Sequence, residues 1–105
     1  MLGKLEAIKA RFDDLGIALT NPEIVGNNQR FAQVSKEYRS LEKIVQAYQL
    51  FRSLLDDISF NREALNGDDD ELRELAKQES HDLDVRKEQM EKDIRTMLIP
   101  KDPQD

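Results

Sequence analysis

Apolar residues recur every three and four positions along almost the whole chain, and no other feature limits the fold so strongly. Leu5, Ile8, Phe12, Leu15 and Leu19 are spaced three, four, three and four apart. That rhythm puts them on one stripe of a helix and does not fit the period of two of a half-buried strand. Lys4, Glu6, Lys9, Arg11, Asp13 and Asp14 occupy the turns between them. Gly16 costs up to about 1 kcal/mol relative to Ala, so this is where the helix would fray or bend. The pattern predicts a first helix over about residues 2–19, stopped by Thr20, Asn21 and Pro22.

The next stretch, TNPEIVGNNQ, is dense in turn formers and reads as a connector with a single turn at Pro22 to Val25. Asn27 or Asn28 can cap the next helix, because a short side-chain oxygen satisfies a free N–H at a helix start. Phe31, Val34, Tyr38, Leu41, Val45 and Tyr48 then resume the three-four alternation, flanked by Ile44, Phe51, Leu54, Leu55 and Ile58. A second helix is predicted over about 28–61, roughly 50 Å long at 1.5 Å per residue. Its apolar face widens after Ile44, as expected for a helix that meets two neighbours there.

Asn66 and Gly67 interrupt the pattern, and Asp68, Asp69, Asp70 and Glu71 come next, four acids where a helix N-terminus favours negative charge. A third helix over about 68–98 carries a stripe through Leu72, Leu75, Ala76, Leu83, Val85, Met90, Ile94, Met97 and Leu98. Glu79 and Arg86 fall where a continuous seam would be apolar. The expected fold is therefore all-α: an elongated antiparallel three-helix bundle, or helical hairpin, with coiled-coil-like packing in a single domain spanning 1–105. Residues 99–105, with Pro100 and Pro103, read as a linker, since proline fixes φ, removes an N–H and pushes the preceding residue out of helix. Such an exit implies a downstream domain, and the expectation is that the chemistry lies there.

Composition narrows the possible functions. Sixteen Lys and Arg against 22 Asp and Glu give a net charge of −6, which argues against broad attraction to nucleic acid and leaves at most a small basic patch. With no cysteine, disulfides, thiolate metal sites and cysteine nucleophiles are excluded. No apolar run approaches the roughly 20 residues of a membrane span, and the N-terminus has no signal-peptide core, so a soluble intracellular protein is expected.

Side chains that could carry chemistry are few. His81 is the only histidine, in a charged stretch without partners for a dyad or metal centre, and reads as a surface residue. The acidic run from Asp68 to Glu71 lacks the spaced acids and glycine of a calcium loop, and a helix start explains it. The four glycines are isolated, so no phosphate-binding loop exists. Phe31, Tyr38, Tyr48 and Phe51 could stack on bases, but their spacing suits a helix core better. Lys36, Arg39 and Lys43, with Arg30 nearby, form a modest basic strip on the second helix; a solvated face accounts for it more simply, and these three are the candidate residues for contact with a phosphate or another partner. No catalytic, cofactor-binding or metal residue is identified, and an enzyme is not expected.

Three stretches, in order, resemble the N-terminal domain of bacterial class I peptide chain release factors of the type that reads UAA and UAG. LGKLEAIKARFDDL (Leu2 to Leu15) is similar to the family's first helix. NNQRFAQVSKEYRSLEKIV (Asn27 to Val45) resembles its RF…LS+EY..L pattern through Arg30, Phe31, Ser35, Lys36, Glu37, Tyr38 and Leu41. DDDELRELAKQE (Asp68 to Glu79) leads through a charged helix to LIPKDPQD (Leu98 to Asp105), which resembles the family's LLPKDP.D junction, the most specific of the three. The segment from Gln49 to Gly67 matches by helical pattern alone. The resemblance implies a cytoplasmic, non-catalytic helical arm near the base of the ribosomal stalk, in communication with the class II release factor, a GTPase. The family's Gly-Gly-Gln and Pro-x-Thr motifs are absent from this sequence, so no residue of codon recognition or peptide release carries over. The isolated chain is expected to be a monomer with at most weak dimerisation. A free-standing coiled-coil adaptor, dimerising through the Leu5 and Phe31 seams, has the same composition and periodicity and is the alternative.

Overall fold

The computed structural model describes residues 1–100. Within them every regular element is helical: α1 (Leu2–Ala18), α2 (Pro22–Val25), α3 (Asn28–Leu65) and α4 (Asp70–Met97). The all-α class is as expected. Of the predicted linker, Ile99 and Pro100 lie beyond the end of α4, while Lys101 to Asp105 fall outside the described residues. Two compact units divide the chain within α3, Met1–Gln46 and Ala47–Asp105.

In the first unit α1 runs through Gly16 to Ala18 without the fray or bend expected there. Leu5 and Leu15 are buried, and Ile8, Phe12 and Leu19 are half-buried, so the five-residue stripe faces inward as its spacing dictates. The Thr20 hydroxyl donates to the Ile17 carbonyl at 2.7 Å, closing the helix end. α2 is the single turn read from the sequence: Asn21 caps it by accepting from the Glu23 N–H at 2.9 Å, and Pro22 supplies a φ already helical. Of the two asparagines that could open α3, Asn27 does so, its side chain accepting from the Arg30 N–H at 3.2 Å. The short connector returns α3 alongside α1.

α3 extends four residues past the predicted end at Asn61 because Arg62, Glu63, Ala64 and Leu65 are good helix formers and Asn66–Gly67 is the first real interruption. Most of its less exposed positions fall into two sets. Val34, Tyr38, Leu41, Val45 and Tyr48 follow one three-four series, and Ile44, Ala47, Phe51, Leu54, Ile58, Asn61 and Leu65 follow another, one residue out of phase. Their overlap between Ile44 and Tyr48 is the widening seen in the sequence. Phe31, placed by its spacing in the first set, is 40% exposed.

In the second unit α3 and α4 form an antiparallel hairpin. Leu54, Ile58 and Leu83 make a buried cluster with Met90 packed against it, and the Asn61 side-chain amide donates to Ser80 Oγ at 3.0 Å. α4 starts two residues later than predicted. Asp69 is its N-cap, in extended conformation and accepting from the Leu72 N–H at 3.2 Å, so Asp70 and Glu71 occupy the first turn. The α4 stripe also needs correcting. Apart from Glu91, its less exposed positions are Arg73, Ala76, Ser80, Leu83, Lys87, Met90, Ile94 and Leu98, a regular three-four series. Leu72, Leu75, Val85 and Met97 are exposed. Glu79 and Arg86 are also exposed and interrupt nothing; the polar members of the seam are Arg73, Ser80 and Lys87. Ser80 fits because its hydroxyl donates to the Ala76 carbonyl at 2.8 Å while accepting from Asn61. The loop before α4 is tied by Arg73, which donates to the Gly67 carbonyl at 2.7 Å and pairs with Asp70.

Candidate functional site

Charge is unevenly distributed. Residues 1–46 hold seven Lys and Arg against six Asp and Glu, while residues 47–105 hold nine against sixteen. The basic strip predicted from the sequence lies in the first, nearly neutral unit. Lys36, Arg39 and Lys43 are all exposed, and their three-four spacing places them on one face of α3 away from Tyr38, Leu41 and Val45. Arg30 is exposed as well. Among the described residues none of these four forms an ion pair with a carboxylate, so their donors are available to an external acceptor.

A clasp between α1 and α3 holds this strip in place. Arg11 donates to Glu37 through Nε at 2.6 Å and through a second guanidinium nitrogen at 2.8 Å, a two-pronged arrangement that fixes orientation. The hydrogen bond from Arg11, with its positive charge, holds the Glu37 carboxyl below the usual carboxylate range, and Arg11 is raised in return. One residue on, the rings of Phe12 and Tyr38 stack with centroids 4.2 Å apart and planes 13° from parallel. Gly16 lies beside that ring: a Cβ built there would be in contact with it, 3.4 Å from Tyr38 Cε2. Glu37 and Tyr38 therefore turn toward α1 while Lys36 and Arg39, their chain neighbours, turn outward.

His81 is exposed, Asp69 caps a helix and Asp70 pairs with Arg73. Among the described residues no three His, Cys, Asp or Glu side chains converge to hold a metal ion. Of the aromatic residues weighed as base-stacking platforms, Tyr48 and Phe51 are buried and Tyr38 is engaged by Phe12; Phe31 alone presents an exposed ring.

The PCRF domain family model matches residues 8–105. The chain belongs to that family. This PCRF domain is 45% identical, over its full length, to peptide chain release factor 1 of Anaeromyxobacter dehalogenans, covering 28% of that protein. It is 42% identical to peptide chain release factor 1 of Cytophaga hutchinsonii, again over the whole chain and covering 30% of the relative. A third relative, peptide chain release factor 1 of Clostridium beijerinckii, is 38% identical over the same span, with 29% of its length covered. The PCRF domain thus spans about 30% of the length of these relatives, and its similarity is to the release factor 1 type. No solved structure matches it.

Within this PCRF domain the stretch from Arg30 to Leu41 divides by direction. Glu37 and Tyr38 build the clasp, Leu41 packs in the seam, and Arg30, Phe31 and Lys36 face out. Sequence reasoning found the basic strip from charge and spacing but missed the clasp. Arg11 and Glu37 are 26 residues apart, and only their placement at the same level of the α1–α3 pair could have linked them.

Proposed function

We propose that this PCRF domain is a non-catalytic arm of a cytoplasmic peptide chain release factor that directs termination at UAA and UAG. The observation that carries the proposal is end-to-end similarity to peptide chain release factor 1 from several bacteria. No described helix is long and apolar enough to cross a membrane, which is compatible with that setting. In the resemblance drawn from the sequence, this arm lies by the stalk base of the ribosome and communicates with the class II release factor GTPase. The exposed, unpaired strip of Lys36, Arg39 and Lys43 supports an RNA contact there: three cations on one helix face suit phosphate oxygens, and the contacts of Glu37 and Tyr38 with α1 turn that face outward.

The adaptor alternative is less well supported. It needs the Leu5 seam free for a partner, and Leu5 and Leu15 are 1% and 4% exposed within the single chain. Sedimentation separates the two: a concentration-independent monomer is expected, and a tight dimer would favour the adaptor.

The test of the termination role is peptide release from ribosomes stalled on UAA, UAG or UGA by the full protein that carries these residues. Release at UAA and UAG, none at UGA and none from the 105-residue chain alone are expected. Release at UGA but not at UAG would overturn the assigned specificity, and activity of the isolated chain would overturn its non-catalytic role.

A further inference from the structure

The second unit carries an apolar trough that neither the fold nor the termination role explains. Phe60, on α3, is 65% exposed, and Leu72 and Leu75, on the first turns of α4, are 41% and 57% exposed. These three side chains line a depression of about 330 Å³ floored by Ala76 and Leu83. A second depression, of about 280 Å³, shares Phe60, Ala64 and Leu72 with the first and extends to Gly67 at the α3–α4 turn. Large apolar side chains scattered singly are ordinary on a protein surface, but three that converge on one concave surface mark an interaction site.

The rim indicates the kind of partner that fits. Asp57 and Glu79 border the first depression; Glu63, Asp68 and Asp69 border the second. Asp69 is occupied as the cap of α4, but Asp57, Glu63, Asp68 and Glu79 form no ion pair or side-chain hydrogen bond among the described residues. Arg86 is the single cation in either lining. A phosphate backbone would be repelled by this rim. An anionic rim around an apolar floor instead complements a protein segment that presents apolar side chains at helical spacing between lysines or arginines, the helix-in-groove mode of recognition.

We propose that the α3–α4 trough is a docking site for a basic amphipathic helix of a partner protein, with Phe60, Leu72 and Leu75 receiving its apolar side chains and Asp57 and Glu79 its cations. The inference stands apart from the termination role, because it rests on the shape and charge of the second unit alone. Phe60 is exposed, so Phe60→Ala removes the centre of the trough without opening the buried cluster of Leu54, Ile58 and Leu83.

The test is titration of the ¹⁵N-labelled chain with a synthetic peptide of about 18 residues of Leu and Lys, patterned as an amphipathic helix. A matched peptide with Glu for every Lys, and a short single-stranded RNA, are run beside it. The Lys peptide should shift amide signals around Phe60, Leu72 and Leu75. Phe60→Ala should weaken that binding about tenfold or more, as for a central apolar contact. Asp57→Asn with Glu79→Gln should weaken it severalfold and flatten its salt dependence. Circular dichroism of each variant confirms that the helices remain. The proposal is overturned if the Lys peptide does not bind, if the Glu peptide binds equally, or if Phe60→Ala changes nothing. It is likewise overturned if RNA shifts the same amides, or if they shift with protein concentration alone, which would make a second copy the occupant.

Discussion

The two units of this chain hold their helices together in different ways, although both are built from the same three-four repeat. In Met1–Gln46 the inward stripe of α1, with Leu5 and Leu15 buried, is joined near the surface by a two-pronged ion pair at Arg11–Glu37 and a ring stack at Phe12–Tyr38 that link α1 to α3. From Ala47 onward the α3–α4 hairpin relies on a buried cluster of Leu54, Ile58 and Leu83 and on one internal polar bridge, Asn61–Ser80. The first unit is nearly neutral with an outward basic strip, and the second is strongly acidic with an apolar trough. A single helix can serve both because its inward positions change phase by one residue near Ile44, so one sequence supplies two faces without breaking.

The largest effect expected from disturbing this contrast lies in the second unit. Leu83→Ala should cost about 2–5 kcal/mol in urea unfolding, since Leu83 is 7% exposed and belongs to the buried cluster of the hairpin. A loss below about 1 kcal/mol would mean that the hairpin does not depend on its apolar cluster. The polar bridge should matter less: Asn61→Ala should lose about 1 kcal/mol and leave the Ser80 hydroxyl with its bond to Ala76. In the first unit, a double-mutant cycle on Phe12→Leu and Tyr38→Leu should give a coupling of about 0.5–1.5 kcal/mol, the usual worth of a stacked pair beyond its burial. Zero coupling would remove the stack from the clasp.

Gly16→Ala sharpens the picture in the other direction. The helix is continuous there, and the added methyl meets Tyr38 at ordinary contact distance, so a gain of about 0.5–1 kcal/mol is expected. Destabilisation would show that Tyr38 needs the empty space. The ion pair gives the smallest change, best read through pH. The Glu37 carboxyl is lowered in the folded chain by the Arg11 hydrogen bond, so its contribution is full above its ordinary value of 4.5 and is lost as pH falls through the lowered folded value. Glu37→Gln should therefore reduce stability at neutral pH and have little effect once the carboxyl is protonated in both states. Equal losses at both pH values would assign Glu37 a packing role instead.

Much of this organisation was legible in the sequence because it is local. The α1 stripe, the single turn at Pro22 to Val25, an asparagine cap before α3 and the acidic opening of α4 each depend on residues within one or two turns. What the sequence hid depends on which of two adjacent faces a helix turns inward. On α4 the apolar residues Leu72, Leu75 and Val85 suggested one stripe, but the seam runs through Ala76, Ser80, Leu83 and Lys87, because Ser80 can satisfy its hydroxyl against Asn61 and lysine can lay its stem along the seam. Two of those misplaced leucines, Leu72 and Leu75, line the trough. The basic strip was visible as charge at helical spacing, while the clasp that orients it needs the register between α1 and α3.

The central claim is that the two units present contrasting surfaces, a basic one for RNA and an acidic, apolar one for protein. The measurement that bears on it most directly is the salt dependence of ribosome binding by the full protein carrying this segment. It compares the unaltered protein with a Lys36→Gln, Arg39→Gln, Lys43→Gln triple variant and with Phe60→Ala. The account predicts weaker binding by the triple variant and a log–log salt slope smaller by about one for each charge removed, with the slope for Phe60→Ala unchanged. Unaltered affinity and slope in the triple variant would contradict it.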